Sequence, residues 1–486
     1  MSGVLVVNGR KINSFALSLE ASYFYHLNNY NVKFLNLNIY NNIFSKSVRF
    51  KNKVLKENFI EQIPLANRFL QSFHCANLAL LWYLNARKSE KPWSYRLQIM
   101  NLETGELVRS LIARTMGSSN FSLLNCSRSQ VLDIVFKLFL SYHRTISAIE
   151  RFPGLLELGI AHGGRDSFSA GAVAAFREKK IPVRLIESGG VTTNWSNFEK
   201  SPHYSPNFWS RLREVEDVNC GADNVDGWWA ERLRGSDHFR GEEWSGSRTP
   251  GHLPSELPSV FITFFTTSEF EIPVFKDFDV FPGKYKNQFE ALSNLYKLTS
   301  ELDIHLVVRR HPNSVDWQGM DRESKLWDGF KSLSNLTYIG PKEKIDSIEL
   351  AKRSKQVFTF KSSVGIEAIW LGVSAFAMGP ARWAWTDELR AWDENRLKDI
   401  ILNSPKNNNQ HAIRWAQMML TMDYPNKIFT SIEGNYAHTI GETYVITRFD
   451  ELIEAITLKL LFFTQNCTHL FKSLLKNKVL YIQKIK

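Results

Sequence analysis

The chain has 486 residues, enough for two large domains, and its composition, 44% hydrophobic and 22% charged with 26 Gly and 16 Pro, excludes collagenous, linker and disordered proteins. Sixty Lys and Arg against 49 Asp and Glu give a formal charge of +11, but the excess sits at the ends. Residues 1–60 carry eight basic and two acidic residues and residues 451–486 carry six and two, which leaves the middle almost neutral. A neutral body with basic ends argues against nucleic acid as the partner and fits attachment to an anionic surface. No apolar run reaches the roughly 18 to 20 residues that cross a bilayer. The opening MSGVLVVNGR reads as a first buried strand rather than a secretory leader, so the expected location is the cytoplasm. Cys75, Cys126, Cys220 and Cys467 are far apart, without the CxxC spacing of a zinc site or the density of a disulfide framework.

In chain order, residues 4–7 form an apolar strand that ends in the turn Asn8-Gly9-Arg10. Residues 60–150 read as helices. A clear βαβ unit follows, with a strand at 155–161, the turn His162-Gly163-Gly164-Arg165, an Ala-rich helix at 167–179 and a strand at 183–186 that ends in Glu187-Ser188-Gly189-Gly190. Residues 191–258, with Trp195, Trp209, Trp228, Trp229 and Trp244 among Gly, Pro, Ser and Asn, read as a linker with short helices. A second α/β series starts with a strand at 260–265 and the turn Thr266-Thr267-Ser268-Glu269. A helix at about 285–302 and strands at 304–309, 336–339 and 356–360 continue it, and Ser362-Ser363 opens a helix that ends near Gly372. The tail at 452–486 interleaves leucines and phenylalanines with lysines. It reads either as an interfacial amphipathic helix on an anionic membrane or as a docked helix with a solvated lysine face.

Two segments carry chemistry together, RRHPN at 309–313 and FKSSVGIEAIWLG at 360–372. His-Pro after a strand is by itself an ordinary loop, and Ser-Ser-x-Gly before an apolar helix is an ordinary helix start. The same hydroxyls and backbone N–H groups also favour a phosphate, and Gly365 would let the backbone come close to it. Adjacent strand residues point oppositely, so of Arg309 and Arg310 at most one faces a ligand.

With HGGR…ESGG at 155–190, FFTTSEFE at 264–271, VVRRHPN at 307–313, the run 339–373 and MGPARW at 378–383, the chain resembles the bacterial capsule and surface-polysaccharide biosynthesis proteins of GT-B glycosyltransferase type. Its His-Pro and Ser-Ser motifs are similar to those of sialyl and Kdo transferases. The resemblance covers roughly residues 155–385. It implies an α/β, GT-B-like fold of two Rossmann-like domains whose parallel sheets face a central cleft. The expected division is 1–250 on the acceptor side, with a helical insertion and the Trp-rich linker; 251–440 for the nucleotide-sugar; and 441–486 as the basic tail.

The resemblance further implies that His311 and Pro312 contact the nucleotide and that Ser362 and Ser363 take the donor phosphate. It places Ser268, Glu269 and Arg309 near the phosphates and Glu367 on a ribose hydroxyl, with a first-turn helix acid as the alternative for Glu367. The base that deprotonates the acceptor falls among Asp166, Glu187 and His162, although Asp166 is equally suited to capping the helix at 167 and Glu187 to holding its turn. Arg165 is either an acceptor clamp or one half of a structural ion pair. No metal or cofactor is expected, the nucleotide-sugar being a co-substrate.

The activity implied is transfer of a sugar, CMP-linked donors included, to a capsular or surface polysaccharide or glycolipid by a cytoplasmic enzyme, which the tail, in its interfacial reading, would place on the inner face of the plasma membrane. The alternatives are CDP-alditol phosphotransfer of teichoic-acid type, although Phe360-Lys361 replaces the Asp-Tyr usual there, and a non-catalytic member that binds polysaccharide or a partner enzyme through the Trp-rich region 191–250.

Overall fold

The structure is a computed structural model of the whole chain. It describes residues 2–8, 12–37, 61–62, 68–89, 107–112, 123, 126–163, 166–188, 194–199, 205–215, 222–234, 249–267, 283–314, 324–421, 424–428, 431–433, 436–439 and 442–445. Arg165, Ser268, Glu269, Trp244 and the tail from 446 onward lie outside the described residues. The chain divides into two compact units, one of residues 1–112, 122–187 and 426–486, the other of 113–121 and 188–425.

In the first unit β1 (Gly3–Asn8) is buried along its whole length, as the run GVLVVN demands of a central strand. Helix α1 (Ile12–Leu27) follows, then β2 (Asn31–Asn36) and β3 (Glu61–Gln62). Next come the helices α2 (Arg68–Lys88) and α3 (Arg128–Glu150) within the stretch expected to be helical. The βαβ unit is present as β4 (Leu156–His162), α4 (Ser167–Glu178) and β5 (Val183–Ser188). The strands lie in the order β5-β4-β1-β2-β3, with every pair parallel.

Two positions explain the layer above this sheet. A Cβ on Gly171 of α4 would come within 2.4 Å of the Leu138 carbonyl oxygen of α3, so the two helices meet backbone to backbone and only Gly fits. Arg144 of α3 is wholly buried and donates to the Leu37 carbonyl at 3.2 Å and to the Ser72 hydroxyl at 3.3 Å, which ties α3 to the end of β2 and to α2.

The second unit opens with β6 (Asn194–Phe198), α5 (Ser205–Glu214) and α6 (Ala222–Arg234). Its sheet is built from β7 (Phe261–Phe265), α7 (Gln288–Glu301), β8 (His305–Arg309), α8 (Ser324–Lys331), β9 (Leu336–Ile339), α9 (Ser347–Arg353), β10 (Gln356–Thr359), α10 (Val364–Trp370) and β11 (Ala375–Ala377). Helices α11 (Glu394–Asn403) and α12 (Gln410–Thr421) and the short β12 (Tyr424–Pro425) complete the unit, with β12 antiparallel to β6. The sheet order is β11-β10-β7-β8-β9, again all parallel. Phe264, Leu295, Val308, Trp327 and Phe358 belong to its core.

The Trp-rich stretch, read from composition as a linker of the first domain, packs into this second unit. Trp209 donates its indole N–H to the Ala381 carbonyl at 3.0 Å, and Trp229 donates to the Ala412 carbonyl at 3.3 Å and stacks on Trp370 at 5.3 Å. Trp195, Trp209, Trp228 and Trp229 are all buried. The described tryptophans of this stretch are core residues and offer no face for sugar stacking.

The chain then returns to the first unit with β13 (Ser431–Glu433), β14 (Tyr436–Thr439) and β15 (Glu442–Val445), an antiparallel meander against α1. The return is fixed by Glu20 of α1. Its carboxylate, on a residue 1% exposed, accepts the N–H groups of Lys427 and Ile428, both at 2.7 Å. Numbered from its first strand, each sheet has the order 3-2-1-4-5, so the α/β class and the two Rossmann-like halves expected from the sequence are both present. Among the described residues no helix is long and apolar enough to cross a membrane.

Candidate active site

A doubly wound sheet opens a crevice where successive strands change direction of advance, because the loops leaving the two strands there run to opposite faces. In the second unit β7, β8 and β9 advance one way and β10 begins again on the other side of β7. The crevice therefore lies beyond the carboxyl ends of β7 and β10, beside that of β8. The flagged segments occupy these ends: His311-Pro312 follows β8 and Ser362-Ser363 follows β10.

The contacts bring the three loops together. Thr266, after β7, accepts the His311 N–H at 2.9 Å, and Thr267 accepts the Lys361 N–H at 2.9 Å. His311, Pro312, Lys361, Ser362 and Ser363 are half-buried, so the loop surface is both formed and accessible. The Ser362 hydroxyl accepts the Val364 N–H at 3.3 Å, and the Ser362 carbonyl accepts the indole N–H of Trp383 at 2.9 Å. Ser363 does not cap the helix with its side chain; it is already helical, at φ −68° and ψ −12°, and its hydroxyl donates to Glu367 at 3.4 Å.

Four flagged residues take positions that the sequence does not disclose. Gly365 makes room for protein rather than for ligand, because a Cβ there would lie 2.0 Å from Cζ2 of Trp383. Glu367 is wholly buried and ion-paired with Arg232 of α6 at 2.9 Å, and the Arg232 guanidinium lies 5.3 Å from the centre of the Trp228 ring. Arg309 donates to the carbonyls of Gly340 and Glu343, the second at 3.0 Å, and burial pulls its guanidinium down to about 10, still protonated at neutral pH. Arg310 is wholly buried, donates to the Tyr338 hydroxyl at 3.2 Å and stacks on Trp327 at 4.9 Å. Both arginines hold the 338–343 turn beside β8.

In the first unit the reversal falls between β1 and β4, at Asn8 and His162. His162 ends β4, and Glu187 lies near the end of the neighbouring β5. Their Nε2 and Oε1 atoms are 3.4 Å apart, with the side chains only 15% and 22% exposed. Gly163, at φ +56°, turns the chain after His162 and donates its N–H to the Ile186 carbonyl at 2.8 Å. A carboxylate against one imidazole nitrogen orients the ring, which suits proton abstraction from a hydroxyl.

Asp166 caps α4. One carboxylate oxygen accepts the N–H groups of Phe168 and Ser169 at 3.0 and 3.1 Å, and the other accepts the Ser169 hydroxyl at 2.6 Å. Among the described residues no group of three or more His, Cys, Asp or Glu side chains is arranged to hold a metal ion.

Thr266, Thr267, Gln288, Arg232 and Trp383 belong to this neighbourhood and were not singled out as site residues in the sequence. Only the first two and Trp383 lie inside recognisable segments, FFTTSEFE and MGPARW.

No protein-family model and no curated protein sequence matches the chain. Among solved structures, KpsC of Thermosulfurimonas dismutans, a beta Kdo 2,4 transferase, is similar over 54% of this chain and 79% of its own, at 14% identity and a TM-score of 0.35. The UDP-GlcNAc 2-epimerase of Neisseria meningitidis bound to UDP-GlcNAc is similar over 86% of this chain and 98% of its own, at 13% identity and a TM-score of 0.32. The Methanocaldococcus jannaschii UDP-GlcNAc 2-epimerase in complex with UDP-GlcNAc and UDP covers 86% and 99%, at 11% and 0.30. At these identities and scores the fold rests on the strand order of the chain itself.

Proposed function

We propose that the chain is a glycosyltransferase that takes its sugar from a nucleotide-activated donor, CMP-linked donors included, and adds it to a capsular or surface polysaccharide or glycolipid. The observation that carries this reading is the reversal of strand order at β7 and β10, whose ends and their neighbour β8 bear Ser362-Ser363 and His311-Pro312. In this reading His311 and the two serines receive the nucleotide and its phosphate. A base takes the proton of the acceptor hydroxyl, a role for which His162 and Glu187 are the candidates, and the hydroxyl oxygen bonds to the anomeric carbon. The bond from that carbon to the phosphate oxygen breaks, and the charge left on the nucleotide is met by the hydroxyls and the His311 loop. Arg165, Ser268 and Glu269 remain candidate substrate contacts on this proposal.

A thermal-shift titration with CMP, CDP, UDP and GDP tests it, because a ligand that binds only the folded state raises stability by about 2.7 kcal/mol at a hundredfold excess over its Kd. One nucleotide is expected to stabilise the chain, and His311→Ala to abolish the effect. A selective response to CMP identifies the donor class, and one to CDP moves the assignment to alditol phosphotransfer. Silence from all four, or a response that His311→Ala leaves intact, sinks the donor site.

The basic ends, +6 over residues 1–60 and +4 over 451–486, support a peripheral place on an anionic membrane surface. Co-sedimentation with phosphatidylserine-containing vesicles is expected to fall as salt rises from 50 to 500 mM and to vanish in a chain ending at residue 451. Binding that ignores salt, or none at all, removes the membrane from the proposal.

A further inference from the structure

Three loops border the donor crevice, and each leaves a different strand, so their spacing depends on cross-links between them. Thr266 and Thr267 supply two. In extended chain adjacent side chains project to opposite sides, and these two hydroxyls reach opposite neighbours, Thr266 the His311 N–H beyond β8 and Thr267 the Lys361 N–H beyond β10.

The pair is itself held in place. The Thr266 N–H bonds to the Arg309 carbonyl at 3.0 Å, which extends the β7–β8 ladder by one residue. Gln288, at the start of α7, presents its amide as a strand edge would: its oxygen accepts the Thr267 N–H and its nitrogen donates to the Thr267 carbonyl, both at 2.9 Å. All three residues are buried, at 2%, 6% and 1% exposure, where an unmade hydrogen bond is costly.

We propose that Thr266, Thr267 and Gln288 are positioning residues of the donor site, a clasp that sets the distance between the His311 loop and the Lys361–Ser362 loop. The assignment rests on the donor-site reading above. Thr266 and Thr267 would touch no donor atom in this role; they act through the loops that do.

The test uses Thr266→Val and Thr267→Val in the full chain, with Thr→Ser at each position as the conservative control. Amide hydrogen exchange is expected to lose protection at His311 alone in the first variant and at Lys361 alone in the second. Calorimetric titration with CMP, CDP, UDP and GDP is expected to show the preferred nucleotide weakened about tenfold by each valine and restored to within about twofold by serine, the scale of one lost buried hydrogen bond. Should a valine variant fail to fold, Thr→Cys, whose sulfur is a weak acceptor, carries the same expectation.

A wild-type chain that binds none of the four nucleotides overturns the donor reading and the clasp's role with it. Wild-type binding that the valine variants match overturns the clasp alone. Weakening that serine fails to rescue assigns the effect to methyl packing and likewise overturns it.

Discussion

Gly365→Ala is expected to abolish nucleotide binding and to lower the melting temperature of the second unit by about 5 °C. In most helices this exchange is favourable by about 1 kcal/mol, because Gly loses more backbone freedom on folding than Ala. Here the added methyl meets the indole of Trp383, at 2.0 Å from Cζ2, 2.7 Å from Cε2 and 2.8 Å from Cη2. Trp383 is 1% exposed, so the indole is enclosed by protein. Overpacking of this kind costs about 1 to 3 kcal/mol, and each kcal/mol shifts a unit of this size by about 2 to 4 °C.

The functional loss follows from the same indole, whose N–H holds the Ser362 carbonyl. Pushing the ring away moves the serine expected to meet the donor phosphate. Scanning calorimetry with and without nucleotide checks both parts, and a raised melting temperature with binding preserved would show that the indole yields freely.

Arg232→Met is expected to cost about 3 to 5 kcal/mol, the penalty for removing one member of a buried ion pair, and to lower the melting temperature of the second unit by about 10 °C or more. Glu367 has no exposed side-chain surface, and Arg232 is 13% exposed and covered by Trp228. Helix α10 carries Glu367, and the segment that opens it carries Ser362, so the pair anchors the candidate phosphate loop to α6. The double variant Arg232→Met with Glu367→Leu should recover most of the loss, since an apolar pair of similar volume often replaces a buried ion pair without penalty. A single variant within about 1 kcal/mol of the wild type in denaturant unfolding would remove the anchoring role.

The elements most legible in the sequence were those whose signal is local. GVLVVN, FITFF and HLVVR are apolar, β-branched or aromatic runs that end in turn residues, and they are strands β1, β7 and β8. The βαβ unit around HGGR was readable for the same reason, and so was the neighbourhood of His311 with Ser362, because both motifs follow strands. What could not be read depends on partners distant in sequence. Arg309 and Arg310 look like phosphate ligands until the carbonyls of Gly340 and Glu343 and the Trp327 ring are found around them. Glu367 pairs with a residue 135 positions earlier, and Gly365 yields its space to a tryptophan 18 positions later. The Trp-rich stretch misled for a related reason: its composition is that of a loop, but its indoles are anchored by the carbonyls of Ala381 and Ala412.

Glu20 places a constraint on how the chain is made. Its carboxylate is buried in α1, yet the two N–H groups that satisfy it are synthesised 407 and 408 residues later. At 5 to 20 residues per second that interval lasts roughly 20 to 80 s, during which residues 188–425, the contiguous bulk of the second unit, emerge complete. The unit translated first is therefore the one that closes last, and an early-born acidic side chain waits, solvated, for a partner that the ribosome delivers only after the other half of the molecule is available to fold.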